Sequence, residues 1–105
     1  MSVRAIVAYP YKANAPFNID YYLTQHMPQV AKLYGPFGLR KWEVIQFSTD
    51  GSTPDFAIQT ILHWDNVEQL AKANASDAAK TLGDDIPNFS QVMPIALSGT
   101  VVGGS

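Results

Sequence analysis

Two histidines, five tyrosines and no cysteine bound the chemistry open to this 105-residue chain. Thiolate nucleophiles, disulfides and Cys-based zinc or iron–sulfur sites are excluded. The most pointed segment is Tyr21-Tyr22-Leu23-Thr24-Gln25-His26-Met27-Pro28. At helical spacing His26 lies one turn after Tyr22, so imidazole and phenol share a surface. Imidazole is also the side chain that changes protonation most readily near neutral pH. His26, assisted by Tyr22, is therefore the candidate for a general base, a general acid or a hydrogen bonder to a ligand. A second reading stands beside it, a core histidine whose nitrogens are satisfied by a backbone carbonyl or by the tyrosine hydroxyl. Pro28 favours function, because it breaks the helix, frees a carbonyl and opens space beside the ring.

Trp42 and Phe89 join Tyr22 and His26 as candidate ligand lining, since small-molecule pockets combine aromatic walls with a few convergent polar groups. The other aromatics are read as core. Asp84 and Asp85 precede a proline turn, where aspartates commonly serve as solvated caps. Asp84 is given no acid–base role, and Asp85 is kept among the ligand-binding candidates. His63 closes a strand, on the barrel interior or at its rim. Two histidines without a third ligand at helical or hairpin spacing do not make a metal site, so no metal is expected. No G-x-G-x-x-G, Walker loop, H-E-x-x-H or G-x-S-x-G occurs in the sequence, and no cofactor is expected.

The elements that must position these residues follow from periodicity. Val3 to Tyr9 is short and β-branched and stops at Pro10, a first strand. Asn18 is placed to cap a helix from Ile19, with Asp20 in its first turn. Apolar spacing at Tyr22, Leu23, Val30, Leu33 and Phe37 puts His26 on the buried stripe. Pro28 predicts a kink near Met27, and Gly35-Pro36 a stop. Residues 39–48 and 55–64 alternate around a turn at 49–54, an antiparallel pair. Asp65-Asn66-Val67-Glu68 has the form of a capping box, opening a helix with Val67, Leu70, Ala71, Asn74, Ala78 and Leu82 on one face and an end near Gly83. Val92 to Val102 reads as the last strand, before a mobile tail at 103–105.

The order is βαββαβ, an α+β chain with a ferredoxin-like four-stranded antiparallel sheet, and at this length 1–105 is one domain. Strand three carries Ile58 and Leu62 on one side and Ala57 and Ile61 on the other. Helices cover one face, and a second copy of the sheet is the simplest cover for the other, which predicts a homodimer. Hydrophobic residues at 47% against 15% charged fit an apolar surface that meets another chain. The net charge of −2, with seven scattered Lys and Arg, lacks the footprint of a nucleic-acid binder. No signal-peptide or 20-residue apolar run is present, so no membrane partner is expected, and a soluble, cytoplasmic protein is.

With these residues in view, the chain resembles the EthD family, named for a small protein encoded with ethyl tert-butyl ether degradation systems. The resemblance rests on Phe17 through Pro28, on Gly38-Leu39, and on Asp85-Ile86-Pro87-Asn88-Phe89 followed by Pro94, and spans nearly the whole chain. It implies a dimeric α+β barrel with a cavity between sheet and helices in each protomer. It also maps the family's signature histidine onto His26. The wider superfamily includes cofactor-free monooxygenases, polyketide cyclases, lactone isomerases and haem-degrading enzymes. A haem reading is set aside, because His63 does not match the proximal histidine of the haem-binding relatives. The resemblance implies a site more than a reaction; with a buried imidazole in an aromatic pocket, the expected function is cofactor-free proton transfer on an apolar, oxygen-bearing ligand in a catabolic or polyketide-like pathway. The alternative is a non-catalytic binding or accessory dimer with a structural His26.

Overall fold

The computed structural model describes residues 2–47 and 53–104. The turn expected at 49–54 lies outside these residues except for Thr53 and Pro54, as do Ser48 and Ser105. Four strands form one antiparallel sheet: β1 (Val3–Pro10), β2 (Lys41–Gln46), β3 (Phe56–Trp64) and β4 (Ile95–Thr100), in the order β2-β3-β1-β4. β1, β2 and β3 are rich in β-branched and aromatic residues, whereas β4, Ile-Ala-Leu-Ser-Gly-Thr, is exposed along its length. The two central ones carry the register, with Ala5 opposite Leu62 and Val7 opposite Thr60. The ladder slips between Tyr9 and Pro10, where the missing N–H ends it.

Between β1 and β2 the chain forms α1 (Ile19–Tyr21), a π-helical turn (Tyr22–His26) and α2 (Met27–Tyr34). The expected kink at Pro28 is realised as this wider turn ahead of the proline. The Met27 N–H reaches back to the Tyr22 carbonyl, and the Thr24 hydroxyl donates to the Asp20 carbonyl at 2.6 Å, a back-bond that loosens helices. A 3₁₀ turn (Gly35–Phe37) follows and ends at Gly38, whose φ of 108° is open to glycine alone without strain.

The second helical crossover corrects the single helix read from sequence. It is two helices, α3 (Val67–Asn74) and α4 (Asp77–Asp84), because Ser76 breaks the run and caps the second one through the Ala79 N–H. The first cap also moves by one residue. The Asn66 side chain accepts from the Gln69 N–H at 2.9 Å, and the Gln69 side chain accepts from the Asp65 N–H at 3.0 Å. The inward face is Leu70, Ala73 and Leu82, while Val67, Ala71 and Asn74 are exposed. A last 3₁₀ turn (Ile86–Asn88) leads toward β4, which is shorter than the run expected at Val92–Val102.

The core lies between sheet and helices, with Val3, Ala5, Tyr9, Ile58, Leu62 and Trp64 on the sheet facing Tyr22, Met27, Val30, Leu70, Ala73 and Leu82. The opposite sheet face is uncovered in this chain. There Leu97, Ile6 and Ile61 stand in one cross-strand row, and Ile95, Ala8, Gln59 and Ile45 in the next. Ile45, Ile95 and Leu97 are all at least 41% exposed. No helix among the described residues is long and apolar enough to cross a membrane.

Candidate functional site

The start of α1 is tied to the end of the second crossover by one backbone bond, Asn18 N–H to the Phe89 carbonyl at 2.9 Å. The Asn18 side chain meanwhile caps the helix through the Tyr21 N–H. That bond brings the inner face of the π-helical turn against the 3₁₀ turn after α4. His26 Nδ1 lies 2.9 Å from one oxygen of Asp85. The other oxygen accepts from the Tyr21 hydroxyl at 2.7 Å and from the Asn88 amide at 2.8 Å.

Asp85 stands at the C-terminal end of α4, where the helix dipole disfavours a negative charge. Three donors hold it there. Burial alone would raise its pKa, but the hydrogen bonds from Tyr21, Asn88 and His26 outweigh burial and keep the carboxyl below its ordinary range. The bond to Asp85 raises the Tyr21 phenol in turn. An ionised Asp85 accepts from Nδ1–H, the tautomer that makes Nε2 of a neutral ring an acceptor. Among the described residues Nε2 has no hydrogen-bond partner.

The ring itself is clamped. Tyr22 stacks on it with centroids 5.2 Å apart and planes 14° from parallel, and Phe89 lies 4.6 Å away on a tilt. The Tyr22 hydroxyl does not reach the imidazole, as one sequence reading had it; it pairs with Thr60 on the sheet at 2.5 Å. Burial pushes the Tyr22 phenol up to about 12, with the bond to Thr60 pulling the other way, and burial pushes Tyr9 up further still. Both phenols keep their protons more tightly in the folded chain, so their contribution to stability is full below pH 10 and is lost as pH climbs through the raised values. A tyrosinate absorbance titration should leave Tyr9 and Tyr22 protonated well past pH 10 in the native chain and release them near the ordinary value in denaturant. Release at pH 10 without unfolding would rule out the buried pairing.

Beside the imidazole is a cavity of about 140 Å³. Val7, Tyr9, Thr60 and Leu62 form its floor, Tyr22, His26, Met27, Val30 and Tyr34 one wall, and Ala79, Leu82, Gly83 and Ile86 the other. His26 and Tyr22 thus lie at one cavity, with Asp85 behind the histidine and Phe89 packed on it. Trp42 is not brought there. It lies on β2 opposite Leu62 and lines a separate depression with Ala31, Leu39, Arg40 and Lys41. His63 is on the uncovered sheet face, 2.6 Å from Glu43, so the sheet separates it from His26. Its bond, with Lys41 and Arg4 nearby, lowers the Glu43 carboxyl. No cluster of three His, Cys, Asp or Glu residues forms among the described residues.

Sequence reasoning missed Tyr21 and Asn88 as partners of Asp85. Asn88 was within reach of it, since a residue three positions on in a tight turn folds back over the first. Tyr21 was not, because its contact depends on the docking of two segments 64 residues apart.

Sheet order and helix placement define an α+β protein of ferredoxin-like fold, with a histidine–aspartate pair at an apolar cavity. No family model and no curated protein matches the chain. Among solved structures, an EthD-like protein from Ralstonia eutropha JMP134 is 28% identical with a TM-score of 0.84, over 99% of this chain and 95% of that one. An ethyl tert-butyl ether degradation (EthD) family protein from Bacillus halodurans C-125 is 23% identical with a TM-score of 0.77, over 97% and 100%. The chain is similar to these EthD proteins over nearly its whole length and shares their α+β fold. More distant likenesses show the fold alone. They include SnoaB from Streptomyces nogalater, described as a cofactor-independent oxygenase (10% identity, TM-score 0.70, 98% and 95% coverage), and three proteins of unknown function described as dimeric.

Proposed function

We propose that this chain handles a small apolar, oxygen-bearing molecule in a catabolic or polyketide-like pathway, and that His26 exchanges a proton with it without a cofactor. The observation that carries this reading is the Asp85 carboxylate on His26 Nδ1, at 2.9 Å, in a ring that lines the cavity. A carboxylate on one nitrogen fixes the tautomer and stabilises the imidazolium formed when the other nitrogen takes a proton. Tyr22 serves by stacking and by closing the cavity wall. SnoaB, described as a cofactor-independent oxygenase, shows that this fold can carry chemistry without a cofactor. The absence of cysteine suits a reducing cytoplasm.

Diethyl pyrocarbonate, which acylates an unprotonated imidazole nitrogen, tests this without a known substrate. With Nδ1 engaged, native His26 should be labelled at Nε2 and mapped by peptide mass spectrometry. Labelling of His26 only after unfolding would mean a structural histidine. That second reading, an accessory or binding dimer, draws on the 6% exposure of His26.

The chain pairs with a second copy through the uncovered sheet face. Exposed Ile45, Ile95 and Leu97 in adjoining rows support this, as do the structural neighbours described as dimeric. Sedimentation equilibrium should find twice the chain mass, and Leu97→Lys, which sets a charge in that face, should give monomer. A wild-type monomer at micromolar concentration would refute the pairing.

A further inference from the structure

We propose that the cavity beside His26 takes an uncharged single-ring molecule bearing one O–H group, with that hydroxyl donating to His26 Nε2. The inference rests on the reading of His26 as a proton acceptor and adds the class of ligand.

Size comes first. The cavity is about 140 Å³, close to the roughly 150 Å³ apolar cavity that holds one benzene and below the ~300 Å³ at which pockets for larger organic ligands begin. One six-membered ring with a small substituent fills this space, and a second fused ring would have to project from its open mouth.

Charge comes next. The walls around the ring position are Met27, Val30, Leu62, Leu82 and Ile86, and no lysine or arginine lines the space among the described residues. A carboxylate or phosphate entering it would leave water with no cation to meet it. It would also approach the Asp85 carboxylate behind the imidazole.

The polar demand is narrow as well. The Tyr22 and Thr60 hydroxyls share one hydrogen bond at 2.5 Å, and Tyr9 and Tyr34 also line the space. Asp85 occupies Nδ1, which leaves Nε2 as the free acceptor. The ligand group that matches Nε2 is a donor, which a phenol or a ring enol supplies and an ether does not.

An NMR titration of the whole chain with four probes tests this: phenol, anisole, benzoate and 2-naphthol, read at the His26 ring protons and at the methyl groups of Val30, Leu62 and Leu82. Phenol should shift these signals to saturation. Anisole, which lacks the donor, should bind about three- to tenfold more weakly. Benzoate and 2-naphthol should bind at least about tenfold more weakly than phenol, by charge and by size. If 2-naphthol, benzoate or anisole matches phenol at these residues, the proposed class is overturned while His26 remains a ligand-facing base. If no probe moves any of these signals, the cavity is not a ligand site for this class and the inference falls. The diethyl pyrocarbonate labelling then decides separately whether His26 Nε2 is free.

Discussion

Asp85→Asn should cut any turnover at His26 by roughly 100-fold or more, the scale of a lost general base, and should lower stability by about 1–3 kcal/mol. The carboxylate now accepts from His26 at 2.9 Å, Tyr21 at 2.7 Å and Asn88 at 2.8 Å. Asparagine offers one acceptor oxygen and an NH₂ group in its place, so one of these donors meets another donor. The cheapest rearrangement turns the imidazole to its other tautomer, with Nδ1 accepting from the new amide and Nε2 carrying the proton. The cavity then faces a donor where it had faced an acceptor. Nitrogen-15 spectra of the ring read the tautomer directly, and diethyl pyrocarbonate labelling of His26 should slow. Unchanged ring nitrogen signals together with unchanged stability would mean that Asp85 does not orient the histidine.

The same substitution has a pH signature. Asp85 has a lower pKa in the folded chain than its ordinary value of 3.8, so the unfolded chain takes up the proton first as pH falls. The cluster's contribution to stability is full above about pH 4 and is lost as pH drops through the lower folded value. Asp85→Asn removes that component, and the stability of the variant should vary less with pH below 4 than that of the wild type.

Gly38→Ala should cost about 2–4 kcal/mol through two separable causes. At φ 108° any side chain is strained, by on the order of 1–3 kcal/mol. In addition, a Cβ there would land on the Gln69 side-chain amide. That amide accepts from the Asp65 N–H at the start of α3, and a lost cap costs about 1 kcal/mol. Denaturant unfolding of Gly38→Ala against Gly35→Ala separates this from a general glycine effect. Gly35 has open space at its Cβ apart from its chain neighbours and an ordinary helical φ of −51°, so its replacement should cost less than that of Gly38, limited to the crowding that Pro36 imposes on a helical residue before it. Equal losses at both positions would show that neither the left-handed turn nor the Gln69 contact matters.

The strands were legible in the sequence because alternation over six to nine residues sets both their existence and their face. The start at Asn18 and the disturbance at Pro28 were legible because each is a local effect of one side chain on its own backbone. The split between α3 and α4 was harder to read, since Ser76 interrupts an Ala-rich run whose periodicity continues across it. At the site, His26 and Tyr22 stood out by type and spacing. Their partners did not, because Thr60 and Asp85 reach them across 38 and 59 residues. Trp42 was grouped with them on aromatic character alone, which carries no information about which depression of the sheet a side chain lines. Asp85 was kept as a ligand-binding candidate but read as a turn aspartate, and it is one, at the end of α4. Its further use depends on the bond between Asn18 and Phe89.

That bond makes the site a joint between two separately built pieces of the chain. His26 and Tyr21 arrive with the first crossover, and Asp85 and Asn88 with the second. Closing a gap of 59 residues is entropically late compared with forming either crossover. The histidine therefore gains its carboxylate when the two pieces dock and loses it whenever the short turn after α4 lifts away. The orientation of the imidazole at the cavity and local opening of that turn are then one equilibrium, so a molecule that prefers the acceptor form of His26 also tightens the seam that creates it.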